Sequence, residues 1–231
     1  PNVVDISDAN FSIFGKISLD KPDIGEPDWV VGTNVTIKWT PIGTWPFVKI
    51  EGSTNGFADE NQTWVINSTV EAGESGVQQV YNYTVEDKLS NNVKIRISDA
   101  SAERSDYVRD TSTDSFKIKG KLTVYSPNTG EEVWIAGTQP TIQWVRTGSI
   151  PAIKIECFDG TNWHLVINST DASTGSYSNW TIPDSAVNTT KQAKIRITDI
   201  NDSSVTDESD NAFLIRGSLT LTAPSAGARL E

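Results

Sequence analysis

The sequence is short of the side chains on which most enzymes depend. Its 231 residues hold one His, His164, one Cys, Cys157, and no Met. That leaves little room for a His-based triad, and none for a multi-His metal centre or an internal disulfide. Positive charge is scarce too: 19 Lys and Arg face 30 Asp and Glu, for a net charge of −11 and a pI near 4.6. A chain without surplus cations cannot neutralise phosphates, so no nucleic-acid partner is expected, whereas divalent cations are compatible with it. No apolar run approaches the roughly 18 residues of a membrane span, and no charged-then-apolar leader is visible. The chain opens on Pro1-Asn2 without Met and closes on Leu230-Glu231. These ends read as a fragment of a longer protein with a cloning scar. The hydrophobic fraction of 36% is modest but belongs to a globular chain.

Abundance lies in repetition. Gly15-Lys16-Ile17-Ser18-Leu19 returns as Gly120-Lys121-Leu122-Thr123-Val124 and again as Gly217-Ser218-Leu219-Thr220-Leu221. At a constant offset of 105, Trp29, Gly32, Ile37, Trp39, Lys49, Ile50 and Glu51 recur as Trp134, Gly137, Ile142, Trp144, Lys154, Ile155 and Glu156. Further on the offset drifts: Ile66-Asn67-Ser68-Thr69 matches Ile167-Asn168-Ser169-Thr170 at 101, and Lys94-Ile95-Arg96-Ile97 matches Lys194-Ile195-Arg196-Ile197 at 100. A closing segment also occurs three times, as Phe11-Ser12-Ile13-Phe14-Gly15, Phe116-Lys117-Ile118-Lys119-Gly120 and Phe213-Leu214-Ile215-Arg216-Gly217. The expected organisation is therefore a closing strand of a preceding repeat at 1–14, complete repeats at 15–119 and 120–216, and the start of another repeat at 217–231. Only a glycine separates consecutive copies.

Within each copy the hydrophobic period is two. Val35, Ile37 and Trp39 alternate with Thr36 and Lys38, and Ile95 and Ile97 alternate with Lys94 and Arg96. Turn signals such as Ser126-Pro127-Asn128-Thr129-Gly130 and Phe158-Asp159-Gly160 fall between the runs. For the second copy the pattern predicts strands near 121–125, 132–136, 140–145, 152–158, 162–168, 177–182, 192–199 and 212–216. Short strands at this density, with a Trp on an early one, predict an all-β chain of two tandem immunoglobulin-like antiparallel sandwiches without the usual disulfide.

The string Ser126-Pro127-Asn128-Thr129-Gly130-Glu131-Glu132-Val133-Trp134-Ile135-Ala136-Gly137, followed by Ile142-Gln143-Trp144, Ile153-Lys154-Ile155, Lys194-Ile195-Arg196-Ile197 and Phe213-Leu214-Ile215, resembles the yeast cell-wall Kre9/Knh1-type domain. The first copy keeps Pro22 and Gly25 of that turn and departs at Trp45-Pro46 and over 71–79. The resemblance implies an extracellular immunoglobulin-like fold found in fungal wall proteins and, in tandem, in large prokaryotic surface proteins.

Three sets of residues are candidates for chemistry. Asn-x-Ser/Thr sequons begin at Asn10, Asn34, Asn61, Asn67, Asn82, Asn168, Asn179, Asn188 and Asn201, nine of the 16 Asn. That is several times what chance placement gives, though some are repeat copies, and it reads either as a glycosylated coat or as a chain rich in polar strand faces. Acidic residues gather before each closing strand. In the second copy, Asp199, Asp202, Asp207 and Asp210, with Glu86 and Asp87 across the expected junction, are candidate Ca²⁺ ligands, because that ion takes six to eight oxygens in loose geometry. The alternative is a solvated acidic loop. Among the eight Trp, Trp39 and Trp144 sit on apolar faces and belong to the core, while Trp45, Trp64 and Trp163 are either core edge or platforms for sugar stacking. His164 reads as a polar strand-face residue, and Cys157 as a buried thiol. The alternating Lys49, Glu51, Lys94 and Arg96, repeated as Lys154, Glu156, Lys194 and Arg196, predict cross-strand ion pairs.

Together these features predict a non-enzymatic structural segment of a large extracellular surface protein: a surface layer, a cell-wall coat or an adhesin stalk. Its partners would be neighbouring repeats, copies of itself and cell-wall polysaccharide, with no cofactor required and Ca²⁺ optional. The competing reading is a pair of carbohydrate-binding modules attached to a polysaccharide-active enzyme.

Overall fold

The structure, a computed structural model, describes residues 7–183 and 190–218. The chain forms two compact units, Pro1–Lys119 and Gly120–Glu231. Unit 1 contains β1 (Lys16–Lys21), β2 (Trp29–Val30), β3 (Asn34–Ile42), β4 (Phe47–Ser53), β5 (Thr63–Glu71), β6 (Gln79–Thr84), β7 (Ser90–Asp99), β8 (Arg109–Thr111) and β9 (Phe116–Lys119). Unit 2 contains β10 (Lys121–Ser126), β11 (Val133–Ile135), β12 (Ile142–Thr147), β13 (Ala152–Phe158), β14 (Trp163–Asp171), β15 (Ser176–Tyr177), β16 (Thr190–Asp199), β17 (Thr206–Glu208) and β18 (Phe213–Arg216).

Each unit is an immunoglobulin-like sandwich of the same design. A three-stranded sheet, β1-β3-β6 or β10-β12-β15, faces a larger one ordered β2-β9-β7-β4-β5 or β11-β18-β16-β13-β14, with β8 added to β7 and β17 to β16. The period-two pattern decides which side chains fill the space between them. On β13, Ile153, Ile155 and Cys157 are buried while Lys154 and Glu156 face outward. Trp39 and Trp144 are core residues, as expected, and each indole N–H donates to a carbonyl across the sandwich, Ala72 at 3.0 Å and Ala172 at 2.8 Å.

Three features differ from the sequence expectation. First, the sandwiches are not wholly antiparallel, because β2 pairs with β9 and β11 with β18 in parallel. Hydrophobic alternation carries no strand direction, so it could not reveal this. Second, β17 was not expected: Thr206-Asp207-Glu208 has no apolar alternation and is held by ladder bonds to β16. The expected strand at 177–182 is correspondingly shorter, although Trp180 and Ile182 beyond β15 are buried. Third, the expected closing strand near the start of the chain is not a strand. Residues 7–15 have no ladder partner, and Phe11 and Ile13 are 76% and 86% exposed. Within unit 1 the place for such a strand, between β2 and β7, is already filled by β9. The expected further repeat at 217–231 falls mostly outside the described residues.

Candidate functional site

The repeated charged residues assemble on the outer face of the larger sheet. In unit 1, Glu51 receives Lys49 Nζ at 2.7 Å and Arg96 Nη2 at 3.1 Å; in unit 2, Glu156 receives Lys154 at 3.0 Å and Arg196 at 2.9 Å. Burial opposes ionisation of Glu156, but the bonds from Lys154 and Arg196 outweigh it and hold its carboxyl below the usual range. Each arginine is covered by an aromatic ring. Phe57 lies 4.2 Å from Arg96, and Trp163 lies 4.0 Å from Arg196. The expected ion pairs are thus present, except that Lys94 donates to the Thr113 carbonyl instead.

This settles the position of the three tryptophans in doubt. Trp45 and Trp64 are each 9% exposed and belong to the core, Trp64 donating to the Tyr83 hydroxyl at 3.3 Å. Trp163 is half-buried, with Arg196 over one ring and Phe158 5.1 Å away. None is an open platform.

Strand register explains how unit 2 differs here. Gly52 pairs with Trp64 on β5, and Cys157 with His164 on β14, so His164 stands where unit 1 has Trp64. A Cβ on Gly52 would come within 2.2 Å of the Trp64 ring, whereas the smaller imidazole leaves room for the Cys157 side chain. Burial pushes that thiol up to about 12, so it stays protonated and unreactive. His164 Nε2 lies 2.7 Å from Asp159 Oδ2. Backbone N–H of Asn162, then His164, hold Asp159 at about 2.

Of the candidate glycosylation residues, Asn10, Asn34, Asn61, Asn82, Asn168, Asn179 and Asn201 are exposed, Asn67 is half-buried, and Asn188 lies outside the described residues. The structure separates one supposed repeat pair. Asn67 pairs with Ile50 and Ile167 pairs with Ile155, so the counterpart of Asn67 is Ile167, and Asn168 lies one place further along. A one-residue slip in a strand changes what a side chain meets. Asn67 Nδ2 donates to the Tyr81 hydroxyl at 3.4 Å, while Asn168 lines a shallow cavity of about 370 Å³ with Lys154, Ser169, Thr198, Asp199 and Ser203. This groove offers amide, hydroxyl and charged groups for hydrogen bonding.

The acidic residues serve the fold. Asp199 accepts from the Asn201 N–H, Asp202 from Ser204, Asp207 from the Val124 N–H at 2.7 Å, and Asp210 from Asn128 Nδ2. Unit 1 repeats the third of these, with Asp110 accepting from the Leu19 N–H at 2.8 Å. Glu86 and Asp87 are exposed in the loop after β6. Among the described residues, no three His, Cys, Asp or Glu gather as a metal site. Sequence reasoning missed the structural duty of Asp110 and Asp207, which their equal spacing before Phe116 and Phe213 already signals.

No family model matches this sequence, and no curated protein matches it. Solved structures with a similar chain path include fibronectin(III)-like modules of Clostridium thermocellum CbhA, 17% identical over 87% of this chain and 94% of that one, TM-score 0.28. Tandem Ig domains of titin are 10% identical over 89% and 100%, TM-score 0.34. A second titin segment is 14% identical over 87% and 98%, TM-score 0.41. The fold assignment rests on the strand order and register given above. Among the described residues, no helix is long and apolar enough to cross a membrane.

Proposed function

We propose that this chain is a non-enzymatic structural segment of an extracellular cell-surface protein, built from immunoglobulin-like units of the Kre9/Knh1 kind and bearing glycans on its exposed sequons. One observation carries the reading: what the two units hold in common is the framework itself. The shared residues are the Trp39 and Trp144 anchors, the Asp110 and Asp207 ties, and the Glu51 and Glu156 triads. Repetition has preserved parts that hold a sandwich together, as an array of spacers requires. The exposed sequon asparagines, none of them engaged in the core, support the coat.

No cofactor is required in this reading, because the acidic loops are closed by their own backbone N–H groups. The carbohydrate-module alternative draws less support, since stacking on sugars needs open rings, and Trp45 and Trp64 are packed inside. Glycopeptide mass spectrometry of the protein from its native source is the test. Occupied sequons are expected at Asn34, Asn82, Asn168 and Asn179, and a spectrum without any occupied sequon overturns the glycosylated coat.

A further inference from the structure

We infer that residues 3–13 are a closing cassette for another immunoglobulin-like unit, one that has its early strands and central strand but lacks the last two. The inference starts from what β8–β9 and β17–β18 do. Val108 and Val205 are 2% and 4% exposed. Two residues on, Asp110 and Asp207 accept the backbone N–H of Leu19 and Val124 on the first strand. Two further on, Ser112 and Ser209 accept the N–H of Ile95 and Ile195 on the central strand, at 3.2 and 3.0 Å. Phe116 and Phe213 then pack on Trp29 and Trp134, ring centroids 4.4 and 4.5 Å apart, and Ile118 and Ile215 are 1% and 0% exposed.

The same five residue types at the same spacing occur a third time, as Val3, Asp5, Ser7, Phe11 and Ile13. Val3 and Asp5 lie outside the described residues and extend the match in sequence. Here the two large apolar members, Phe11 and Ile13, are left 76% and 86% exposed without a ladder partner. Exposing two such side chains costs about 1.5–3 kcal/mol each relative to burying them. The partner that would bury them is specified by the two filled examples. It offers an indole for Phe11, a first-strand N–H for Asp5, a central-strand N–H for Ser7, and two open strand edges for the Phe11–Phe14 backbone. Units 1 and 2 hold that place closed with their own β9 and β18, so a second intact copy does not qualify. The occupant is a unit of the same repeat without its own final strands.

This inference rests on the array part of the proposed function and not on compartment or glycans. The test extends the full chain with a copy of residues 15–107 joined directly to Val3, so that the only cassette available to the added copy is 3–13. Residue 107 precedes Val108 as residue 2 precedes Val3, which keeps the register. A parallel extension with residues 15–119 carries its own cassette and sets the protease resistance of a closed unit. We expect the added 15–107 copy to match that resistance, and Phe11→Asp with Ile13→Asp to abolish it while both original units melt unchanged. Degradation of the 15–107 extension where the 15–119 extension resists, or full resistance in the double variant, overturns the cassette. Unoccupied sequons would overturn the coat and leave this result standing.

Discussion

Gly52 and Cys157 occupy the same place on β4 and β13, and the residue across the ladder accounts for both. Trp64 fills the space over Gly52 so closely that even a methyl group meets its ring, while His164 leaves Cys157 room. Adding volume to a filled core forces neighbours off their rotamers at about 1–3 kcal/mol. Gly52→Ala is therefore expected to destabilise unit 1 by that amount in urea unfolding. Placing Trp64→His in the same chain should relieve the clash, so a double-mutant cycle reads a coupling of about 1 kcal/mol or more. Independent, additive effects would show that the two positions do not share one volume. No single-position reading of the sequence exposes such a pair, because each member looks unremarkable until the register places it opposite the other.

At the level of elements, the short strands β8 and β17 are the least visible in sequence and carry a specific duty. Both are polar, three residues long, and held by ladder bonds to the central strand. Their carboxylates reach the opposite sheet, where Asp110 accepts from β1 and Asp207 from β10. The two sheets of each sandwich are thus tied by a charged hydrogen bond as well as by packing. Removing the acceptor leaves a backbone N–H unsatisfied, at a cost of about 1–3 kcal/mol. Asp110→Ala should lower the melting temperature of unit 1 alone and Asp207→Ala that of unit 2 alone, as followed by calorimetry. A common shift of both transitions, or none, would remove the assignment. The longer strands were readable because β3, β4, β7 and their counterparts alternate cleanly. β8 and β17 were not, since their pairing is decided by the strand beside them and not by their own apolar pattern.

Taken whole, the molecule repeats its core and varies its turns, and the variation makes the two units respond differently to acid. Burial opposes the charge of Glu132, but the backbone N–H groups of Thr129 and Asn128 outweigh it and hold the carboxyl at about 2. At the 105 offset, unit 1 has Pro27 there and no such carboxylate. A carboxyl depressed in the folded state stabilises above its ordinary pKa, and the benefit fades as pH falls from about 4.5 through about 2. Glu132→Gln should therefore weaken unit 2 by about 1–2 kcal/mol at neutral pH, with the difference from the parent vanishing near pH 2. Unchanged melting at pH 7 would show that the loop does not use this charge. Residues such as Trp39, Trp144, Glu51 and Glu156 could be assigned from sequence because periodicity and repetition act locally along the chain. By itself the sequence determined an all-β tandem array with a single idle His and Cys, since composition and a period of two leave few other ways to bury Ile and Trp. Tertiary structure alone decided the parallel β2–β9 and β11–β18 pairs, the burial of Trp45 and Trp64, the one-residue offset between Asn67 and Asn168, and the use of Asp110 and Asp207 as ties between sheets. Each of these depends on which strand lies beside which, and that is a property of contacts between residues far apart in the chain.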